Sequence, residues 1–288
     1  MPDISERLRL IESVKNFCTD KLGLASNNSF TKVVDQNSYY FIGISPKDRI
    51  KLEYPLSGMA AYNSLAEVNF ITNMYKKVLT NTYPFKNVDI YVQEVLASIK
   101  QTCGNDTVSG VDICESAQIT ETVLNISDAA LVALIIHENL HYHASANDIY
   151  MKLPIEESLA DVIAYQGSKQ YYLGNNELLA QVEQHNNYWQ KFYDWCDIYT
   201  KILNKAYRKS MPEGRRQLIV ASQDYKKNNL PGEPDMNNAF FMMWLPYTEC
   251  NASVRRILRD ENPKEHVRKL SMCRQILTLK ELNLVINS

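Results

Sequence analysis

Three of the chain's five histidines, His137, His141 and His143, fall within LVALIIHENLHYHAS, residues 131–145, behind a run of aliphatic side chains. His137-Glu138-Asn139-Leu140-His141 fits the pattern HExxH. On an α-helix, residues four apart are turned by about 400° and lie about 6 Å apart along the axis, so they share a face. The imidazoles of His137 and His141 can therefore converge on one ion. Glu138 follows His137 by about 100°, from where its carboxylate reaches a water beside the ion rather than the ion. His143 lies about 240° from His137 and points off the shared face, so an exposed or locally bonded histidine is expected there.

A catalytic zinc needs three protein ligands and one open position. The third candidate stands in PIEESLADVIAY, where Glu157 and Asp161 are four apart and share a helix face. Glu157 can supply a carboxylate ligand. Asp161 can accept a hydrogen bond from the outer nitrogen of one of the two histidines and fix its orientation. Glu156 is the competing ligand, turned about 100° from the Glu157–Asp161 ridge. Two histidines and a glutamate on a buried helix are costly without partners, and the second helix supplies them.

These groups need a helix pair to hold them. Ser127 and Asp128 suit the start of the first helix, whose apolar lead-in, residues 129–136, predicts burial. The link to the second helix is short enough for the pair to fold back antiparallel. Upstream, SERLRLIESVKNFCTDKLGL has helical spacing and stops near Gly23. SYYFIGIS and VDIYVQEVLAS are rich in β-branched and aromatic residues and read as strands, with LAEVNFITNMYKKVLT as a helix between them. KQTCGNDTVSGVD is a turn-rich loop. Beyond residue 127 almost everything reads as helix, broken at SMPEGR and NNLPGEPDMNN. Tyr188, Phe192, Trp195, Tyr199 and Tyr207 recur near one helical face, as a packing stripe does. The expected fold is α+β: a small mixed half with a short sheet over residues 1–126, and a helical half over 127–288, forming one catalytic unit.

With 288 residues, 45% of them hydrophobic, the chain can bury a substantial core without staples. The net charge of -2 offers no global attraction to nucleic acid or to an anionic membrane surface. No apolar run reaches the length of a membrane span. The charged start lacks the apolar stretch of a signal peptide. The chain alone therefore reads as cytoplasmic, or as exported if a leader has been removed. The six cysteines are scattered without a CxxC pair, which argues against a structural zinc site. Cys103 and Cys114 could close a short loop, but free thiols are expected.

HExxH followed by an ExxxD helix resembles the gluzincin zinc metallopeptidases. FCTDKLGLASNNSF, ISPKDRIKLEYPLSGMAAYNSL, NVDIYVQEVLAS, EESLADVIAYQG and PDMNNAFFMMWLPYTECNASVRRIL further resemble a bacterial family of zinc aminopeptidases. The resemblance implies a zincin-like fold, one Zn2+ per chain held by His137, His141 and Glu157, and a peptide or protein substrate. Glu138 would be the general base, taking a proton from a zinc-activated water and passing it to the leaving amine. Members usually carry Asn where this chain has Glu156, and the loop 100–111 looks inserted. A developing oxyanion needs a second donor, for which Tyr247 is favoured over Asn238 and Tyr150. Asn238 and Glu94 are candidate substrate-binding residues. Glu94 could capture a substrate amino terminus or simply face solvent, and its strand could pair with an extended peptide. The rival expectations are a protease dedicated to a single target and a non-catalytic zinc-binding interaction protein.

Overall fold

Capping residues set where the helices begin. Thr120, Ser127, Ser210, Asn237 and Thr278 each accept a backbone N–H of the first turn that follows, donors that a helix cannot satisfy internally. The computed structural model describes residues 3–33, 39–51, 58–62, 66, 68–70, 72–73, 88–95, 100–101, 114–115, 119–230, 236–259 and 262–288. In chain order the elements are α1 (Ile4–Phe17), β1 (Tyr39–Pro46), β2 (Gly58–Tyr62) and β3 (Val88–Val95). Then come α2 (Glu121–Asn125), α3 (Asp128–Ala146), α4 (Leu153–Tyr171), α5 (Asn176–Tyr207) and α6 (Met211–Lys227). The chain closes with α7 (Asn238–Thr248), α8 (Asn251–Ile257), α9 (Pro263–Leu270) and α10 (Leu279–Asn287). It is mostly helical with a small sheet, an α+β architecture. Of the helix expected over residues 65–80, residues 66, 68–70, 72 and 73 are helical and the others lie outside the described residues. Most of the loop 100–111 and all of Cys103 also lie outside them.

Contacts group the chain into two units that do not follow its order. The first comprises Met1–Ser38, Leu96–Asn187 and Cys250–Ser288, and the second Tyr39–Val95 and Tyr188–Glu249. A boundary near residue 127 was expected from the sequence; the contact grouping instead interleaves segments, and one division falls within α5.

In the first unit α3 and α4 form the central pair. Ile136 packs by Gly167, His137 lies by Asp161, and His141 by Glu156, so contacts run in opposite directions and the helices are antiparallel. Leu131, Val132, Ile135 and Ile136 on α3 are fully buried with Leu159 and Ile163 on α4. Each such side chain contributes about 1.5–3 kcal/mol relative to exposure. Val14 of α1, Leu22, Val254 of α8, Val267 of α9 and Leu282 of α10 close the same core. After Phe17 the chain makes a π-helical turn, Cys18–Leu22, that ends at Gly23 with φ +77°, a left-handed conformation that favours glycine. Buried Arg7 ties α1 to the entry of α3: it donates to the carbonyls of Leu124, at 3.0 Å, and Ile126, and pairs with Asp128.

In the second unit β1 is the central strand of an antiparallel sheet ordered β2-β1-β3. Gly43 on β1 lies so close to α7 that a methyl there would stand 2.4 Å from Met243 Cγ. Phe192, Trp195, Tyr225, Phe240 and Phe241 build an aromatic core. Of the stripe expected on α5, Phe192, Trp195 and Tyr207 are buried, whereas Tyr188 is 45% exposed and not a core residue.

Candidate metal centre

Ser127 caps α3 by accepting the Ala130 N–H, and Pro154 in the first turn of α4 needs no hydrogen bond there. These helices project His137 and His141 from one face of α3, and Glu157 and Asp161 from one face of α4. His137 Nε2 and His141 Nε2 lie 3.1 Å apart. Glu157 Oε2 is 3.3 Å from the first and 3.4 Å from the second. Asp161 Oδ1 stands 3.0 Å from His137 Nδ1, and Glu156 Oε1 stands 2.8 Å from His141 Nδ1.

The outer contacts decide the tautomers. A carboxylate only accepts, so both Nδ1 atoms carry the proton and both Nε2 atoms turn lone pairs inward. Glu157 Oε2 is another acceptor, buried and facing both of those nitrogens. Three lone-pair donors at one point are mutually repulsive unless a proton or cation sits among them. His137, His141 and Glu157 form the metal-compatible group among the described residues, and their chemistry suits a small divalent cation.

Protonation answers the same need when no cation is bound. Burial opposes charge on His137, but hydrogen bonds to Asp161 and Glu157 outweigh it and raise its pKa to about 10. Burial likewise opposes charge on His141, and the charges and hydrogen bonds of Glu157 and Glu156 raise it well above 6.5. For Glu157, burial is overcome by the two histidines, which hold its carboxyl well below the usual range.

Glu138, on the same turn as His137, is buried at 8% exposure. Glu156 does not join the cluster as a ligand; its contact is with the outer nitrogen of His141. Sequence spacing could turn it away from Glu157 but could not show what it faces. His143 is buried rather than exposed; it is locally bonded as expected, with Asn147 Nδ2 3.3 Å from its Nδ1, and has two further partners distant in sequence. Its Nδ1 accepts the Ala25 N–H at 3.0 Å and its Nε2 lies 2.8 Å from Ser271 Oγ. Burial lowers its pKa.

Of the remaining expected residues, Tyr150 belongs to the first unit and Asn238, Tyr247 and Glu94 to the second. Asn238 is fully buried, its Oδ1 accepting from Tyr207 at 2.9 Å and its Nδ2 donating to the Pro46 carbonyl at 2.9 Å. That amide fastens α7 to the end of β1, a structural duty in place of the expected substrate contact. Tyr247 packs in the aromatic core of the second unit, stacked on Tyr193 with ring centres 6.1 Å apart. Glu94 is on β3, at an edge of the described sheet, opposite Tyr40. Tyr150, in a two-residue parallel bridge to Gln275, is 63% exposed. Cys18, Cys196, Cys250 and Cys273 are free thiols.

Two antiparallel helices presenting two imidazole nitrogens and a carboxylate oxygen to one point define an α+β protein with a candidate metal centre. The sequence model of the family described as Putative aminopeptidase matches residues 115–282, more than half of the chain and including both of those helices. The chain belongs to that family. Membership points to peptidase activity, and a peptide is the substrate that fits it. The resembling segments upstream of residue 115 lie outside the match. No curated protein and no solved structure matches the chain. Among the described residues no helix is long and apolar enough to cross a membrane.

Proposed function

We propose that the chain is a gluzincin-type zinc peptidase with a zincin-like site, acting as an aminopeptidase. The carrying observation is the convergence of three acceptors, two of them imidazoles whose outer nitrogens are already held. Their separations of 3.1, 3.3 and 3.4 Å agree with the edges of a tetrahedron with bonds of about 2.0–2.1 Å, which are about 3.3–3.4 Å. His137 and His141 would bind zinc through Nε2 and Glu157 through Oε2, one ion per chain. Bound there, zinc would supply Lewis acidity toward a peptide carbonyl and lower the pKa of a water toward neutrality. Glu138 takes the proton of the attacking water on its carboxylate and returns it to the leaving amine. Asp161 keeps the His137 proton on Nδ1, which leaves Nε2 free to bind.

Metal analysis of purified protein should give about one zinc per chain. Glu138→Gln should retain that zinc and lose hydrolysis of aminoacyl anilides. Full activity in this variant would overturn the general-base assignment. Parallel assays with amino-terminally blocked, internally quenched peptides separate aminopeptidase from endopeptidase action. Failure to cleave any member of a broad peptide library favours the dedicated-target alternative.

A further inference from the structure

We propose that Glu156 is a positioning residue for the ion, holding His141 so that each histidine ligand is backed by its own carboxylate, and that this second pairing sets how tightly the ion is kept. The proposal rests on the zinc reading above. Glu156 and Glu157 are neighbours on α4 and diverge by about 100°. The divergence puts them on opposite ends of one imidazole: Glu157 Oε2 is 3.4 Å from His141 Nε2, and Glu156 Oε1 is 2.8 Å from His141 Nδ1. Asp161 holds His137 Nδ1 in the same way at 3.0 Å.

The geometry has two consequences. An acceptor-only group at Nδ1 keeps the His141 proton on that nitrogen, so Nε2 always offers its lone pair to the ion. A charged acceptor also draws the Nδ1–H proton toward itself and makes Nε2 a stronger donor than a neutral acceptor would. The Glu156 side chain is 15% exposed, so solvent screens this charge little. An amide at the same position would keep the first effect and lose the second.

The test compares the parent with Glu156→Gln and Glu156→Ala, using zinc alone as the probe. Zinc dissociation constants come from competition with a chromophoric chelator, and unfolding midpoints from the zinc-free proteins. Glu156→Ala should bind zinc about 10–100-fold more weakly, with Glu156→Gln between it and the parent. With cobalt in place of zinc, the visible absorption bands should shift in Glu156→Ala and return toward the parent spectrum in Glu156→Gln. Zinc constants within about threefold across the set overturn the proposal, as does a fall in the zinc-free midpoint with zinc binding unchanged, the signature of a merely structural role. If Glu156→Ala does not fold, Glu156→Gln decides alone: affinity equal to the parent's overturns it. A parent that binds no zinc defeats the zinc reading itself, a result distinct from a binding parent with unchanged variants.

Discussion

The spacing of α3 and α4 can be altered at Gly167, ten residues beyond Glu157. A methyl on Gly167 would stand 3.1 Å from Ile136 Cδ1, 3.1 Å from Leu22 Cδ1 and 3.4 Å from Ile136 Cγ2. Carbon atoms pack best at about 3.5–4.0 Å, so the helices must part by about half an ångström or the neighbours must leave their rotamers. Both Ile136 and Leu22 are fully buried, which leaves them little room to yield. Alanine gains about 1 kcal/mol of helix propensity over glycine, against overpacking of about 1–3 kcal/mol. Gly167→Ala should therefore be neutral or cost up to about 2 kcal/mol. Valine returns most of the propensity gain and adds two γ-carbons, so Gly167→Val should cost about 2–3 kcal/mol. That cost corresponds to a fall of about 3–5 °C in the unfolding midpoint of a protein this size. Ile136 adjoins His137, and metal sites tolerate ligand displacements of only about 0.2 Å, so zinc affinity should fall at least about tenfold. Urea unfolding of zinc-free protein and chelator competition read the two effects separately. A valine variant within about 0.5 kcal/mol of the parent would refute the packing argument. A destabilised variant with unchanged zinc affinity would refute the link between helix spacing and the site.

Two further outcomes can be checked. Arg7→Ala should cost about 2–4 kcal/mol in urea unfolding, because it leaves the Leu124 and Ile126 carbonyls without their donor; a loss below about 0.5 kcal/mol would show that water replaces the guanidinium. The zinc-free protein should lose stability as pH rises. The folded His137 pKa of about 10 lies above its ordinary 6.5, so that stabilisation is full below 6.5 and disappears as pH climbs through 10. Zinc must displace the same protons, so its affinity should rise over this interval. Unfolding with chelator present, at several pH values in that window, should show the decline, and a flat profile would contradict it.

The core of the site was legible because it depends on local geometry. A helix turns about 100° per residue whatever surrounds it, so His137 and His141 had to share a face, Glu138 had to stand beside them, and His143 had to point elsewhere. The same rule placed Glu157 and Asp161 on one ridge. Strands β1 and β3 were equally readable, since runs such as YYFIGIS and VDIYVQEV have few other stable uses.

Other features lay beyond that reach. The partner of Glu156 depends on how α4 lies along α3, which residue spacing within α4 does not contain. The burial of His143 depends on Ala25 and Ser271, each more than a hundred residues away. Asn238 looked available for substrate until Tyr207 and the Pro46 carbonyl were seen to occupy its amide. Two compact units assembled from interleaved segments likewise follow from which surfaces bury one another. Residue type and short spacing determined the donors of a candidate metal centre and the helices that carry them. Tertiary packing alone decided which carboxylate backs each histidine, because hydrogen bonds between elements depend on where separate helices come to rest.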